Sequence, residues 1–266
     1  MKTKSIFFIL MLFSSMTTFA QHPLVGTWEM VSIKGTDIEG KPLGSANLRI
    51  TKIITPTHYM VIEHTVRNDS LIFRSASAGT IQLEDNKYSH TSTLSSGATT
   101  GTKSEYTWKI KGNQLIQTGT ITKPDGKKSV LDEVVFKRVG SSGANSKTPI
   151  VGTWNQLSSE YTSYDGTKGL DTPNTATKFW LITPTHWMQM AHRDSKFVYV
   201  QSGSYIIEND KVIPTATVAS FPVNNKTKYN ITYRVDENKL YLTGSATRED
   251  GKKMTWVDVL EKASGK

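Results

Sequence analysis

Pro23-Leu24-Val25-Gly26-Thr27-Trp28 returns as Pro149-Ile150-Val151-Gly152-Thr153-Trp154. Ile54-Thr55-Pro56-Thr57-His58-Tyr59-Met60 returns as Ile182-Thr183-Pro184-Thr185-His186-Trp187-Met188. A third echo pairs Lys123-Pro124-Asp125-Gly126-Lys127-Lys128 with Arg248-Glu249-Asp250-Gly251-Lys252-Lys253. The echoes keep their order, at offsets of 126, 128 and 125 residues. Solenoid repeats run to roughly 20–50 residues, so a period this long makes each copy a whole domain with its own core.

Within each copy, alternating runs rich in Val, Ile, Thr and aromatics are cut at short intervals by turn chemistry, the signature of strands. Copy one predicts strands near 25–34, 47–55, 58–66, 77–84, 87–95, 103–111, 114–122 and 128–138. Its turns include Glu84-Asp85-Asn86-Lys87, Lys111-Gly112-Asn113 and Pro124-Asp125-Gly126; copy two repeats them at Glu208-Asn209-Asp210-Lys211, Asp236-Glu237-Asn238-Lys239 and Glu249-Asp250-Gly251. Short polar links imply antiparallel neighbours. About eight such strands remove their exposed edges most simply by closing, so the chain is read as all-β, two tandem up-and-down β-barrels. An open sandwich satisfies the same pattern. The copies differ most in the link after the first strand, about 33–46 in one and 158–177 in the other, where Tyr161, Tyr164, Gly166, Gly169 and Pro173 are added.

The remaining segments set the context. Lys2 and Lys4, the apolar run Ile6 to Phe13 and the small-residue exit to Ala20 read as a secretion signal over 1–20. The run is well short of the ~20 residues that span a bilayer, and no later stretch replaces it. The expected domains are 21–139 and 149–263, joined by a glycine- and serine-rich linker over 140–148 that leaves their orientation free. Export, to a periplasmic or extracellular place, combined with an absence of Cys, means that packing alone must stabilise the fold. The net charge of +9 falls to +7 without the two signal lysines and is spread along both copies. It reads as a solvated basic surface, with adhesion to acidic glycan or membrane as the alternative. No nucleic-acid motif is present.

A first strand carrying Gly-x-Trp (Gly26, Trp28; Gly152, Trp154), followed by a meander, resembles the lipocalins and the wider calycin group. With the Ile-Thr-Pro-Thr-His-aromatic-Met strand and the central Gly79 and Gly203, the chain is similar to bacterial secreted lipocalin-like domains, a family without an established function. The resemblance implies a small barrel with an internal cavity and supplies neither a ligand nor a catalytic residue. It also implies that Trp28 and Trp154 plug the closed end of each barrel beneath a last-strand cation, Lys137 or Arg138 in copy one and Lys262 in copy two.

The third strand carries the sharpest chemical pattern. His58, Met60, Ile62 and His64 alternate on one face, and His186, Met188, Met190 and His192 match them. Six residues of strand hold the two histidines of each set about 20 Å apart, too far for one metal, so no metal site is expected. Two readings stay open. The first histidine of each set closes the Pro-Thr-His turn, or the face lines a cavity with methionines as adaptable wall and histidines as polar contacts. Glu133 and Asp258 each stand among apolar residues on the last strand, where an inward carboxylate would be desolvated and raised in pKa or paired with a cation. Trp108 and Tyr233 occupy matching sixth-strand positions, as core or as aromatic wall.

No Gly-x-Ser-x-Gly elbow, His-Glu-x-x-His, phosphate-cradling glycine loop or cysteine nucleophile occurs. The sequence therefore predicts no catalytic residue, no cofactor and no enzyme. It predicts a binding protein holding a small apolar or amphipathic molecule in one or both barrels. The alternative is a protein-interaction module whose barrels are filled with side chains.

Overall fold

The computed structural model describes residues 22–264 apart from 45, 69, 98, 141–147 and 225. The predicted signal segment and positions 141–147 of the predicted linker lie outside the described residues. The chain is all-β. Copy one runs β1 (Gly26–Thr36), β2 (Leu48–Ile54), β3 (His58–Arg67), β4 (Ser70–Leu83), β5 (Lys87–Ser95), β6 (Lys103–Lys111), β7 (Gln114–Thr122) and β8 (Lys128–Val139). Each strand pairs antiparallel with the next, and β8 returns to β1, closing barrel 1. Copy two runs β9 (Gly152–Thr162), β10 (Lys168–Asp171), β11 (Ala176–Ile182), β12 (His186–Arg193), β13 (Lys196–Glu208), β14 (Lys211–Ala219), β15 (Lys228–Asp236), β16 (Lys239–Thr247) and β17 (Lys253–Lys262). Barrel 2 closes through β17 on β9, again with eight strands; β10 pairs with β9 alone, an extra strand formed by the longer link.

Each barrel has one plugged end. The Trp28 and Trp154 rings are fully buried, and each indole N–H donates to the carbonyl four residues upstream, Leu24 or Ile150, at 2.8 Å. The Arg138 guanidinium lies 4.1 Å from the Trp28 ring centroid and the Lys262 ammonium 5.8 Å from that of Trp154, so Arg138, not Lys137, is the cation of copy one. Gly26 and Gly152 hold φ of +145° and +147°, and a Cβ on Gly26 would meet the Arg138 guanidinium. Glycine two residues before the tryptophan thus leaves the path by which the arginine reaches the ring.

The barrels pack side by side. Beyond the two barrel cores, a third apolar cluster joins Ile53, Met60, Ile62, Ala76 and Ala78 to Phe179, Leu181, Met188, Met190 and Val200. The contacts around it are reciprocal, as in a twofold interface between like subunits. Near the plugged ends, the hydroxyls of Thr27 and Thr183 lie 3.1 Å apart and those of Thr55 and Thr153 2.7 Å apart. Near the opposite ends, His64 Nε2 reaches the Ala219 carbonyl at 2.9 Å and His192 Nε2 the Ser95 carbonyl at 2.8 Å. Phe73 and Phe197 stack there, centroids 5.6 Å apart. Plugged end therefore meets plugged end and mouth meets mouth, so both barrels open in the same direction. The expected free orientation is replaced by a packed seam.

Candidate functional site

The structure places the repeated Met/His face outside the barrels. On β3, Tyr59 and Val61 belong to the barrel 1 core, which turns His58, Met60, Ile62 and His64 outward onto barrel 2. His186, Met188, Met190 and His192 on β12 turn outward onto barrel 1 in the same way. Met60, Ile62, Met188 and Met190 have no exposed surface. His58 and His186 close their turns: Thr57 or Thr185 Oγ1 lies 2.8 Å from the histidine Nδ1, and Thr55 or Thr183 Oγ1 bonds the histidine backbone at 3.1 Å. Burial holds both imidazoles below their usual pKa. The expected cavity wall is the mortar between the barrels, because β3 and β12 are apolar on both faces and alternation does not say which face turns inward.

The last-strand acids separate as well. Counted back from the cation over each tryptophan, Asp258 is four residues before Lys262, and the residue four before Arg138 is Val134, a core residue. A bulge on the β7–β8 pairing displaces Glu133 to the outer surface, where it meets Lys34 at 3.4 Å. Asp258 stays inside. Trp108 and Tyr233 both pack against their barrel cores.

Inside barrel 1 is a residue that sequence reasoning passed over. Lys52 pairs in register with Trp28 and shares the inward face with Ile50 and Ile54. Its ammonium lies 5.2 Å from the Tyr106 ring centroid, 5.1 Å from Phe136 and 5.6 Å from Tyr88, and donates to the Tyr88 hydroxyl at 3.3 Å. Tyr88 in turn donates to Gln117 Oε1. Among the described residues no carboxylate comes within 4.0 Å of the ammonium. Desolvation lowers the amine pKa to about 8, against a smaller opposing pull from Glu63. Aromatic faces recover ~0.5–2 kcal/mol of the burial cost, less than a paired carboxylate would.

Around this lysine the polar groups are under-partnered. His90 lies over Tyr59, centroids 3.8 Å apart, and neither ring nitrogen has a hydrogen-bond partner among the described residues. Desolvation, and secondarily the Lys52 charge, holds its pKa well below the usual histidine value. Thr102 Oγ1 and Trp108 Nε1 are likewise buried without partners. Buried polar atoms normally find a partner, so this interior is chemically incomplete. Toward the mouth the inward residues Ile33, Ile50, Val61, Glu63, Ser75 and Ile121 keep partial exposure. The interior thus has a cationic aromatic floor, an aliphatic wall and a hydroxyl-bearing wall; Glu63 there accepts from Ser75 at 2.8 Å.

Barrel 2 completes its own charges. Trp180 pairs with Trp154 and so occupies the position of Lys52. The buried lysine sits two residues earlier: Lys178 donates to Asp258 Oδ1 at 3.3 Å and to Ser159 at 3.1 Å. Burial disfavours its charge, but Tyr199 and Asp258 outweigh this and leave its pKa raised. Nearer the mouth, Arg193 holds Asp171 of β10 at 2.8 Å. Two concavities lie elsewhere: an open groove of about 830 Å³ on the outer surface of barrel 2, with Thr232, Thr243 and Thr255 among its lining, and one of about 360 Å³ at the mouth side of the seam. Neither surrounds a caged charge. The buried amine of barrel 1 is the more specific chemical feature.

No protein-family model matches the chain, and no curated protein sequence matches it significantly. Among solved structures, a protein of unknown function from the DUF3598 family of Nostoc punctiforme aligns over 90% of this chain and 96% of its own, with 10% identity and TM-score 0.24. Kievitone hydratase from Nectria haematococca covers 90% of each chain at 10% identity and TM-score 0.24. Transferrin binding protein B from Haemophilus parasuis covers 91% of this chain and 76% of its own at 8% identity and TM-score 0.29. Scores of this size leave the fold description resting on the barrels themselves.

Proposed function

We propose that this is an exported binding protein of lipocalin-like build, a carrier and not an enzyme, that holds one small amphipathic molecule in barrel 1. In this reading residues 1–20 direct export to the periplasm or beyond, and domains 21–139 and 149–263 act as one body. The ligand's acidic or hydrogen-bond-accepting head meets Lys52, and its apolar body lies along Ile33, Ile50, Val61 and Ile121. One observation carries the reading: barrel 1 buries an ammonium without a carboxylate partner, while barrel 2 pairs its own. A head group with negative charge would supply the missing partner and return the amine toward full protonation.

Displacement of a dansyl-labelled undecanoic acid, followed by fluorescence on the full mature protein, tests it. Saturable binding that weakens tenfold or more in Lys52→Met and stays within twofold in Lys178→Met supports the reading. An absence of saturable binding to the parent protein supports filled barrels and an interaction role.

A further inference from the structure

The two mouths share one face of the molecule, and that face concentrates both charge and exposed apolar surface. The described residues of the turns on the mouth side (37–49, 66–74, 96–103, 122–128, 163–171, 193–197, 220–228 and 247–253) contain sixteen Lys and Arg against eight Asp and Glu. The segments on the plugged side (22–29, 54–58, 82–88, 109–115, 136–140, 149–154, 182–186, 206–212, 234–240 and 260–264) contain nine against eight. The net charge that looks evenly spread along the sequence is therefore folded onto one end.

Apolar side chains stand in the same place. Leu71 and Ile72 are adjacent on β4, point to opposite faces, and are 45% and 46% exposed. Two neighbours on one strand are both exposed only where the hairpin projects beyond the barrel wall. Val198, on the equivalent hairpin of barrel 2, is 50% exposed, and Phe221 beside it 46%. The Phe73–Phe197 stack ties the two hairpins together. Arg67, Arg74 and Lys196 flank them.

We infer that this face docks on an anionic phospholipid surface, with the two hairpin tips entering the headgroup layer and both barrel mouths turned toward the lipid. Apolar tips alone would suit many partners; the excess of cations around them selects a negative one, and a planar surface is the partner that two coplanar mouths can meet at once. The inference stands whether or not barrel 1 holds a ligand.

Co-sedimentation of the full mature protein with vesicles tests it, comparing phosphatidylcholine alone with phosphatidylcholine containing phosphatidylglycerol. Binding is expected only to the second, falling with added salt as screening shortens the reach of the cations. Arg67→Gln with Lys196→Gln is expected to weaken it roughly 25-fold. Leu71→Ser with Ile72→Ser should weaken it at least as much, and Ile206→Ser with Ile213→Ser, an equally exposed pair near the plugged end, should leave it unchanged. Circular dichroism confirms that each variant is folded. Equal binding to both vesicle types, no binding to either, or equal losses at the two ends overturns the inference. So does binding to soluble dextran sulfate that matches vesicle binding and ignores the Leu71/Ile72 change, since that would show a partner read by charge alone.

Discussion

Both barrels bury a lysine on the strand paired with the tryptophan, but two residues apart and in opposite company. In barrel 1, Lys52 sits in register with Trp28 among Tyr88, Tyr106 and Phe136, with no acid in contact among the described residues. In barrel 2 that level holds Trp180, and Lys178 higher up finds Asp258 and Ser159. Where one interior is polar the other is apolar: Tyr88, Tyr106 and Gln117 in barrel 1 correspond to Val212, Ile231 and Leu242 in barrel 2. A duplicated frame thus carries one interior whose buried lysine has an acid partner and one whose buried lysine has none among the described residues, while both hold unpartnered polar atoms such as those of Gln156 and His90. Matching scaffold positions do not imply matching roles.

The contrast breaks most sharply at Asp258. Asp258→Ala strands the Lys178 charge in the interior and is expected to lower stability by about 3–5 kcal/mol in urea unfolding. Lys52→Met removes a charge that has no ion partner, so it is expected to be neutral or stabilising. Equal losses in the two variants would mean that the interiors do not differ in the way described. The seam comes next. Met60→Ala and Met188→Ala each open a cavity between the barrels and are expected to cost about 2–5 kcal/mol. Because the seam belongs to both barrels, each change should move a single calorimetric transition; a variant that splits the transition, leaving half the enthalpy at its original temperature, would show independent barrels.

The pH dependence sharpens the same comparison. The Lys52 pKa falls from 10.5 to about 8 on folding. Between those values the unfolded chain binds more protons than the folded one, so stability rises with pH across the window, and below it the penalty of the buried charge is constant. Relative to Lys52→Met, the parent should gain roughly 2 kcal/mol between about pH 8 and 9.5, before tyrosines begin to ionise. Relative to Lys178→Met, which keeps Lys52, the parent should show no such gain over that range, because the Lys178 pKa is raised on folding. The smallest effect is at the plugs. Arg138 lies closer to its ring than Lys262 and also donates to the carbonyls of Val25 and Pro23. Arg138→Ala should therefore cost more than Lys262→Ala, both within about 0.5–2 kcal/mol for the ring contact.

Much of the frame was legible from residues alone. The Gly-x-Trp openings and the turn sequences located closed meanders, and the Pro-Thr-His turns form the hydrogen bonds that their side chains suggest. The Met/His strands were harder. His58-Tyr59-Met60-Val61-Ile62 is apolar on both faces, the mark of a strand buried on both sides, yet a period of two cannot tell interior from seam. Glu133 and Asp258 looked equivalent because their distance from the Asp-Gly turn is the same; a bulge between the turn and the tryptophan shifts the register by one residue and sends the two acids to opposite faces. Lys52 did leave a trace, since it stands between Ile50 and Ile54 on an inward face, but a lone lysine in an apolar alternation resembles an edge or mouth residue until the closed end is located. The charge asymmetry of the two ends was invisible in sequence because turns from both ends alternate along the chain.

Native mass spectrometry of the mature protein from its own source cell tests the central claim most directly. The parent protein should retain a small molecule, still present in Lys178→Met and lost in Lys52→Met. A parent protein that flies at its bare mass, or a bound molecule that both variants keep equally, would contradict it.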